Sequence, residues 1–138
     1  MSYSPSLVYL PSALQLDDVV AHLEAKCHPD MVSATSGGRI HLELDGAALL
    51  LFVDEDPVVV VEATELAETV PTQCASMLRA STKRIEIGLA DPRVDPDDIY
   101  NQLLLVFDVL CALPGAVGLD PYDGEVYPSV VPGFAGET

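Results

Sequence analysis

Positive charge is scarce in this 138-residue chain, where six Lys and Arg stand against 22 Asp and Glu and leave a formal net charge of −16. The shortage excludes two partner classes, because affinity for nucleic acid or anionic lipid is built largely from Lys and Arg that neutralise phosphates. Cysteine is also sparse. Cys27, Cys74 and Cys111 are odd in number, scattered and set among apolar residues, which predicts reduced, buried thiols in a cytoplasmic protein rather than a disulfide or metal framework. No run approaches the roughly 18 apolar residues of a membrane span, and residues 1–14 hold no basic side chain ahead of a short apolar stretch. The expectation is a soluble chain with no membrane partner.

What is present is aliphatic: 49% of the residues are hydrophobic and the mean hydropathy is +0.31. A disordered acidic segment is poor in such residues, so the composition describes a cored domain with a negative skin. Its length suits one domain over residues 1–138, with a Pro/Gly-rich tail at 128–138. The skin favours a basic protein surface or a cation as partner. Solubility and adaptation to high salt are the alternatives.

Ser6 to Leu10 is a β-prone run stopped by Pro11. Leu16, Val19, Val20, Leu23 and Cys27 follow at helical spacing, with Asp17 and Asp18 in the first turn and Pro29 as terminator. Arg39 to Leu44 alternates as a half-buried strand, Asp45-Gly46 supplies a hairpin turn, and Ala47 to Val53 is a covered strand. The β-branched run Val58 to Val61 predicts a third strand of an antiparallel meander. Thr64 then caps a helical segment through Leu78 in which Pro71 forces a restart or a kink, and Lys83 to Leu89 alternates again.

The strongest element is a helix from Pro96 to about Leu113, with Asp95 as its N-cap and Asp97 and Asp98 complementing its dipole. Ile99, Leu103, Val106, Phe107, Leu110 and Leu113 make one stripe, which Leu104, Leu105, Val109 and Cys111 widen. Such a helix wants contact on two sides, from sheet and helix or from a second subunit. Asp108, one heptad after Asn101, marks its solvated strip. Residues 116–119 and 125–127 form a closing hairpin.

Carboxylates cluster at Asp54, Glu55 and Asp56, along 91–98, and at Asp120 and Asp123. None has the spacing of a calcium loop, and turn chemistry or helix capping accounts for each. His22, His28 and His41 are too dispersed to form a ligand set, and nucleophile-elbow, P-loop, dinucleotide and zincin spacings are lacking. No catalytic, cofactor or metal residue is assigned. Arg79, Lys83 and Arg84 hold half of the basic residues within six positions, placed to neutralise carboxylates of this fold or of another copy.

The order of elements describes an α+β two-layer sandwich, a mainly antiparallel sheet with helices on one face. Arg84-Ile-Glu-Ile-Gly-Leu, the acidic Pro-containing loop, the helix Asp98-Ile-Tyr-Asn-Gln-Leu-Leu-Leu-Val-Phe-Asp-Val-Leu and the step Leu113-Pro-Gly-Ala-Val-Gly-Leu together resemble the C-terminal half of an uncharacterised family of small acidic bacterial ferredoxin-like domains. The hairpin at 44–46 and the helix before it resemble the N-terminal half. The resemblance implies a ferredoxin-like fold, no established activity and, for some relatives, a toxin-immunity setting.

The leading expectation is therefore a non-enzymatic domain that docks a basic partner, as an immunity protein or a secretion chaperone does. Secretion chaperones share its size, acidity and build but usually begin with a helix. Leu104, Leu105 and Asp108, with Asp54, Glu55 and Asp56, are the candidate partner or homodimer face. The alternative is a small-ligand or enzymatic pocket between sheet and helices, with Tyr100, Asp108, His41 or Tyr122 as its polar groups.

Overall fold

The computed structural model describes residues 6–35, 37–120 and 126–127. The expected tail at 128–138 and residues 121–124 of the expected turn at 120–124, with Tyr122 and Asp123, lie outside them, as does residue 125. The described strands are β1 (Ser6–Pro11), β2 (Met31–Thr35), β3 (Arg39–Leu44), β4 (Ala47–Asp54), β5 (Ser81–Leu89), β6 (Val117–Leu119) and β7 (Val126–Tyr127). They form one sheet in the order β2-β3-β4-β5-β1-β6-β7, antiparallel at every pairing. Four helices accompany the described sheet: α1 (Leu16–Cys27), α2 (Pro57–Ala67), α3 (Thr72–Arg79) and α4 (Tyr100–Cys111). None is long and apolar enough to cross a membrane.

Side chains alternate between faces along a strand, so neighbours on β1 report two different surroundings. Val8 and Leu10 join Ile40, Leu42, Leu49, Leu51, Ile85 and Ile87 beneath Val19 and Leu23 of α1 and Val106, Phe107 and Leu110 of α4. Leu7 and Tyr9 pack instead with Val59, Ala63 and Ala67 of α2 and Ala75 and Leu78 of α3. Helices therefore cover both faces, and the expectation of a two-layer sandwich with helices on one face gives way to α1 and α4 on one side and α2 and α3 on the other. The α+β character and the mainly antiparallel sheet stand.

The reversal traces to one segment. Val58 to Val61, expected as a strand, begins α2, because Asp56 accepts the Val58 N–H at 3.0 Å and Pro57 occupies the first turn. A capping carboxylate and a proline at N1 start a helix despite the β-branched run. Val59, Ala63 and Ala67, four apart, then supply its buried face. Thr64 lies inside α2 rather than at its cap, its hydroxyl donating to the Val60 carbonyl at 2.8 Å, and of the restart or kink expected at Pro71 the structure has the restart, with α3 beginning directly after it. The meander is completed by β2, which pairs with β3. Asp45 and Gly46, at φ 53° and 81°, make the expected hairpin turn.

Candidate functional site

Two polar anchors fix α1 and α4 to one another and to the sheet. His22 Nε2 donates to the Val109 carbonyl at 2.8 Å, tying α1 to α4. Lys83, buried in β5, donates to the carbonyls of Ser12, at 3.1 Å, and Leu14, and so holds the turn that leads into α1. Lys83 thus serves its own backbone, and among the described residues it pairs with no carboxylate. Arg79 is exposed, and Arg84 pairs with Asp54 at 3.1 Å and with Glu62 of α2.

Arg84 faces α2, where it meets Tyr9. Burial works to lower the Arg84 pKa, but the hydrogen bond and charge of Glu62, with Tyr9 and Asp54, outweigh it and raise the value. Burial and then the Glu62 charge raise that of Tyr9. This cluster locks α2 to β5 and β4. Nothing in the sequence pattern separated Arg84 from its basic neighbours, because its role depends on which strand face α2 covers.

On the opposite side, the loop from Asp91 leads into α4. Arg93 binds Asp91 through Nε and Nη2, both at 3.1 Å, and the Arg93 side chain and then its backbone N–H hold the Asp91 carboxyl below its usual range. Asp95 accepts the Asp97 N–H at 3.0 Å and opens a 3-10 turn, Pro96–Ile99, that runs into α4. These carboxylates are thus spent on local chain geometry. No group of three or more His, Cys, Asp or Glu able to hold a metal ion occurs among the described residues.

Below the loop lies a cavity of about 620 Å³, floored by Ile87, Leu103 and Phe107 and rimmed by Arg93, Asp95, Asp97, Tyr100, Leu104 and Asp120. Beside it runs the outer face of α4. Tyr100, Leu104 and Leu105 stand 56%, 40% and 41% exposed there, between exposed Asp97 and Asp98 at one end and exposed Asp108 at the other. Tyr100, Leu104 and Asp108 follow one another at spacings of four, and Leu105 stands three before Asp108, so these groups share the exposed side of α4. The wide apolar surface of α4 meets the sheet through Val106, Phe107 and Leu110 and α1 on its flank, which leaves Leu104 and Leu105 as the uncovered remainder.

The structure therefore unites Leu104, Leu105 and Asp108 but not the other half of the expected face. Asp54 and Asp56 sit at the β4–α2 corner, toward the sheet face opposite α4, where Asp54 binds Arg84 and accepts the Asp56 N–H at 2.9 Å while Asp56 caps α2. Glu55, exposed between them, shares that corner. Of the groups expected to line a pocket, Tyr100 does so. Asp108 points to solvent, and His41, on β3, alternates with the core residues Ile40 and Leu42 and belongs to the other sheet face.

Family models, curated proteins and solved structures all lack a match to this chain. Its functional reading accordingly rests on these surfaces alone. Sequence reasoning missed a further one, the exposed valines Val58, Val60 and Val61 of α2, because it placed them in the sheet.

Proposed function

We propose that this chain is a non-enzymatic docking domain that receives a basic protein partner on the outer face of α4, in the manner of an immunity protein or a secretion chaperone. The observation that carries the reading is the apolar strip Tyr100, Leu104 and Leu105 set between Asp97, Asp98 and Asp108. An apolar centre with a charged rim is the usual anatomy of a protein interface, and the rim here has one sign. A second copy of this chain would bring the same carboxylates against themselves, so a homodimer through this strip is the less favoured arrangement.

Calorimetric titration with two amphipathic helical peptides, both with Leu at helical spacings of three and four and with the remaining positions filled by Lys in one and by Glu in the other, tests the proposal. The Lys peptide binds, more weakly as salt rises, and Leu104→Asp weakens it by about tenfold, or about 1.4 kcal/mol. Equal binding of both peptides, or no effect of Leu104→Asp, sinks it.

The cavity supports a second reading, a small-ligand site. Its volume of about 620 Å³ falls in the range of about 300 to 1,000 Å³ common for such sites, and Asp95, Asp97 and Tyr100 at its rim suit a small organic cation. Thermal-shift measurements with aliphatic and aromatic amines separate the two readings, since Leu105→Asp disturbs the outer strip and leaves the cavity lining intact.

A further inference from the structure

We infer that the outer edge of β2 is a strand-addition site for an extended basic segment of a protein partner, distinct from the α4 strip. β2 ends the sheet order, so among the described residues its outer side pairs with no strand. The hairpin register says which groups are open. A two-residue turn at Asp45-Gly46 is closed by Leu44 and Ala47, and alternation then directs the backbone of Leu44, Leu42 and Ile40 toward β4. Glu43, His41 and Arg39 bond toward β2, where they oppose Met31, Ser33 and Thr35. The N–H and C=O groups of Val32 and Ala34 consequently face outward.

Edge strands are ordinarily guarded by Lys, Pro or inward charge. Met31-Val-Ser-Ala-Thr35 has none of these, and all but Val32 are exposed. Main-chain pairing along such an edge supplies affinity, and neighbouring pockets supply selectivity. At the Met31 end a cleft of about 420 Å³ is lined by Glu24, His28, Pro29, Asp30, Met31 and Val32, and Glu43 pairs with Met31 next to it. The carboxylates of Glu24 and Asp30 in that cleft fit a Lys or Arg of the incoming strand. The same carboxylates, with the net charge of −16, disfavour a second copy of this chain as the occupant.

The inference takes from the proposed function only the sign of the partner's charge. Its test uses a short alternating Lys/Val peptide, the same peptide N-methylated at alternate residues, and hydrogen exchange of the full chain read by NMR. The plain peptide slows exchange at the Val32 and Ala34 amides by about tenfold or more, and the N-methylated peptide does not. Ala34→Pro, which removes an outward donor without breaking a bond to β3, abolishes the protection read at Val32 and leaves the melting transition in place. Leu104→Asp leaves the protection unchanged, so loss of α4 docking and loss of strand addition are separable. Equal binding of the N-methylated peptide, binding without protection at Val32 and Ala34, or protection that grows with protein concentration before any peptide is added overturns the inference.

Discussion

Cys111 shows how one residue collects the constraints of several elements. It lies on α4 where that helix crosses β6, and the contact is so close that a Cβ on Gly118 would run into its sulfur and stand 2.8 Å from the Phe107 ring. Burial, and then the Asp108 charge, push its thiol up to about 12 from an ordinary 9.0. Between those values the unfolded thiol ionises while the folded one keeps its proton, so the unfolded state binds fewer protons. The contribution of Cys111 to stability is therefore complete below about pH 9 and is lost as pH rises toward about 12. Thiolate absorbance, followed against pH in a Cys27→Ala, Cys74→Ala background, reads this directly. Asp108→Asn removes the second cause and moves the titration to lower pH. A Cys111 that ionises at its ordinary value in both backgrounds would mean that α4 does not seat on β6 as described.

Among the elements, α2 is the one whose start depends most on a single side chain. Asp56 accepts the Val58 N–H, whereas Glu55 beside it is exposed. Asp56→Ala is expected to cost about 0.5 to 2 kcal/mol and Glu55→Ala to stay within about 0.5 kcal/mol, both measured by urea unfolding. Equal costs would remove the cap as the reason that Val58 to Val61 is helical. That run also shows where the sequence was legible. The hairpin at Asp45-Gly46, the alternation of β3 and β5 and the cap at Asp95 are written in local signals, and the structure contains all of them. The helical state of α2 was written locally too, in Asp56-Pro57 and the four-residue spacing of Val59, Ala63 and Ala67, but the β-branched residues between them carry the competing signal. β2 was illegible for another reason. Its Met-Val-Ser-Ala-Thr has neither strict alternation nor a continuous apolar run, and its strand state comes from pairing with β3. Of the candidate site, the α4 strip could be read from periodicity. Its separation from Asp54, Glu55 and Asp56 could not, because that depends on the sheet face to which each helix goes.

For the whole molecule the dominant fact is unopposed negative charge. The ion pairs found among the described residues engage only Arg84 and Arg93, against a net charge of −16. Most carboxylates thus repel one another across the surface, and the folded state, which gathers them, bears more of that repulsion than the unfolded chain. Raising sodium chloride from about 0.01 M to about 1 M shortens the Debye length from about 30 Å to about 3 Å. It weakens exposed repulsions more than the half-buried Arg84 pairs, so the melting temperature is expected to rise. Potassium chloride at the same ionic strengths should raise it equally, since screening and not sodium binding is the cause. A melting temperature that falls with either salt would place the ion pairs above the repulsion. The same reasoning links stability to docking: a basic partner relieves the repulsion that salt relieves, so it stabilises the chain most at low salt, where its own attraction to Asp97, Asp98 and Asp108 is also strongest.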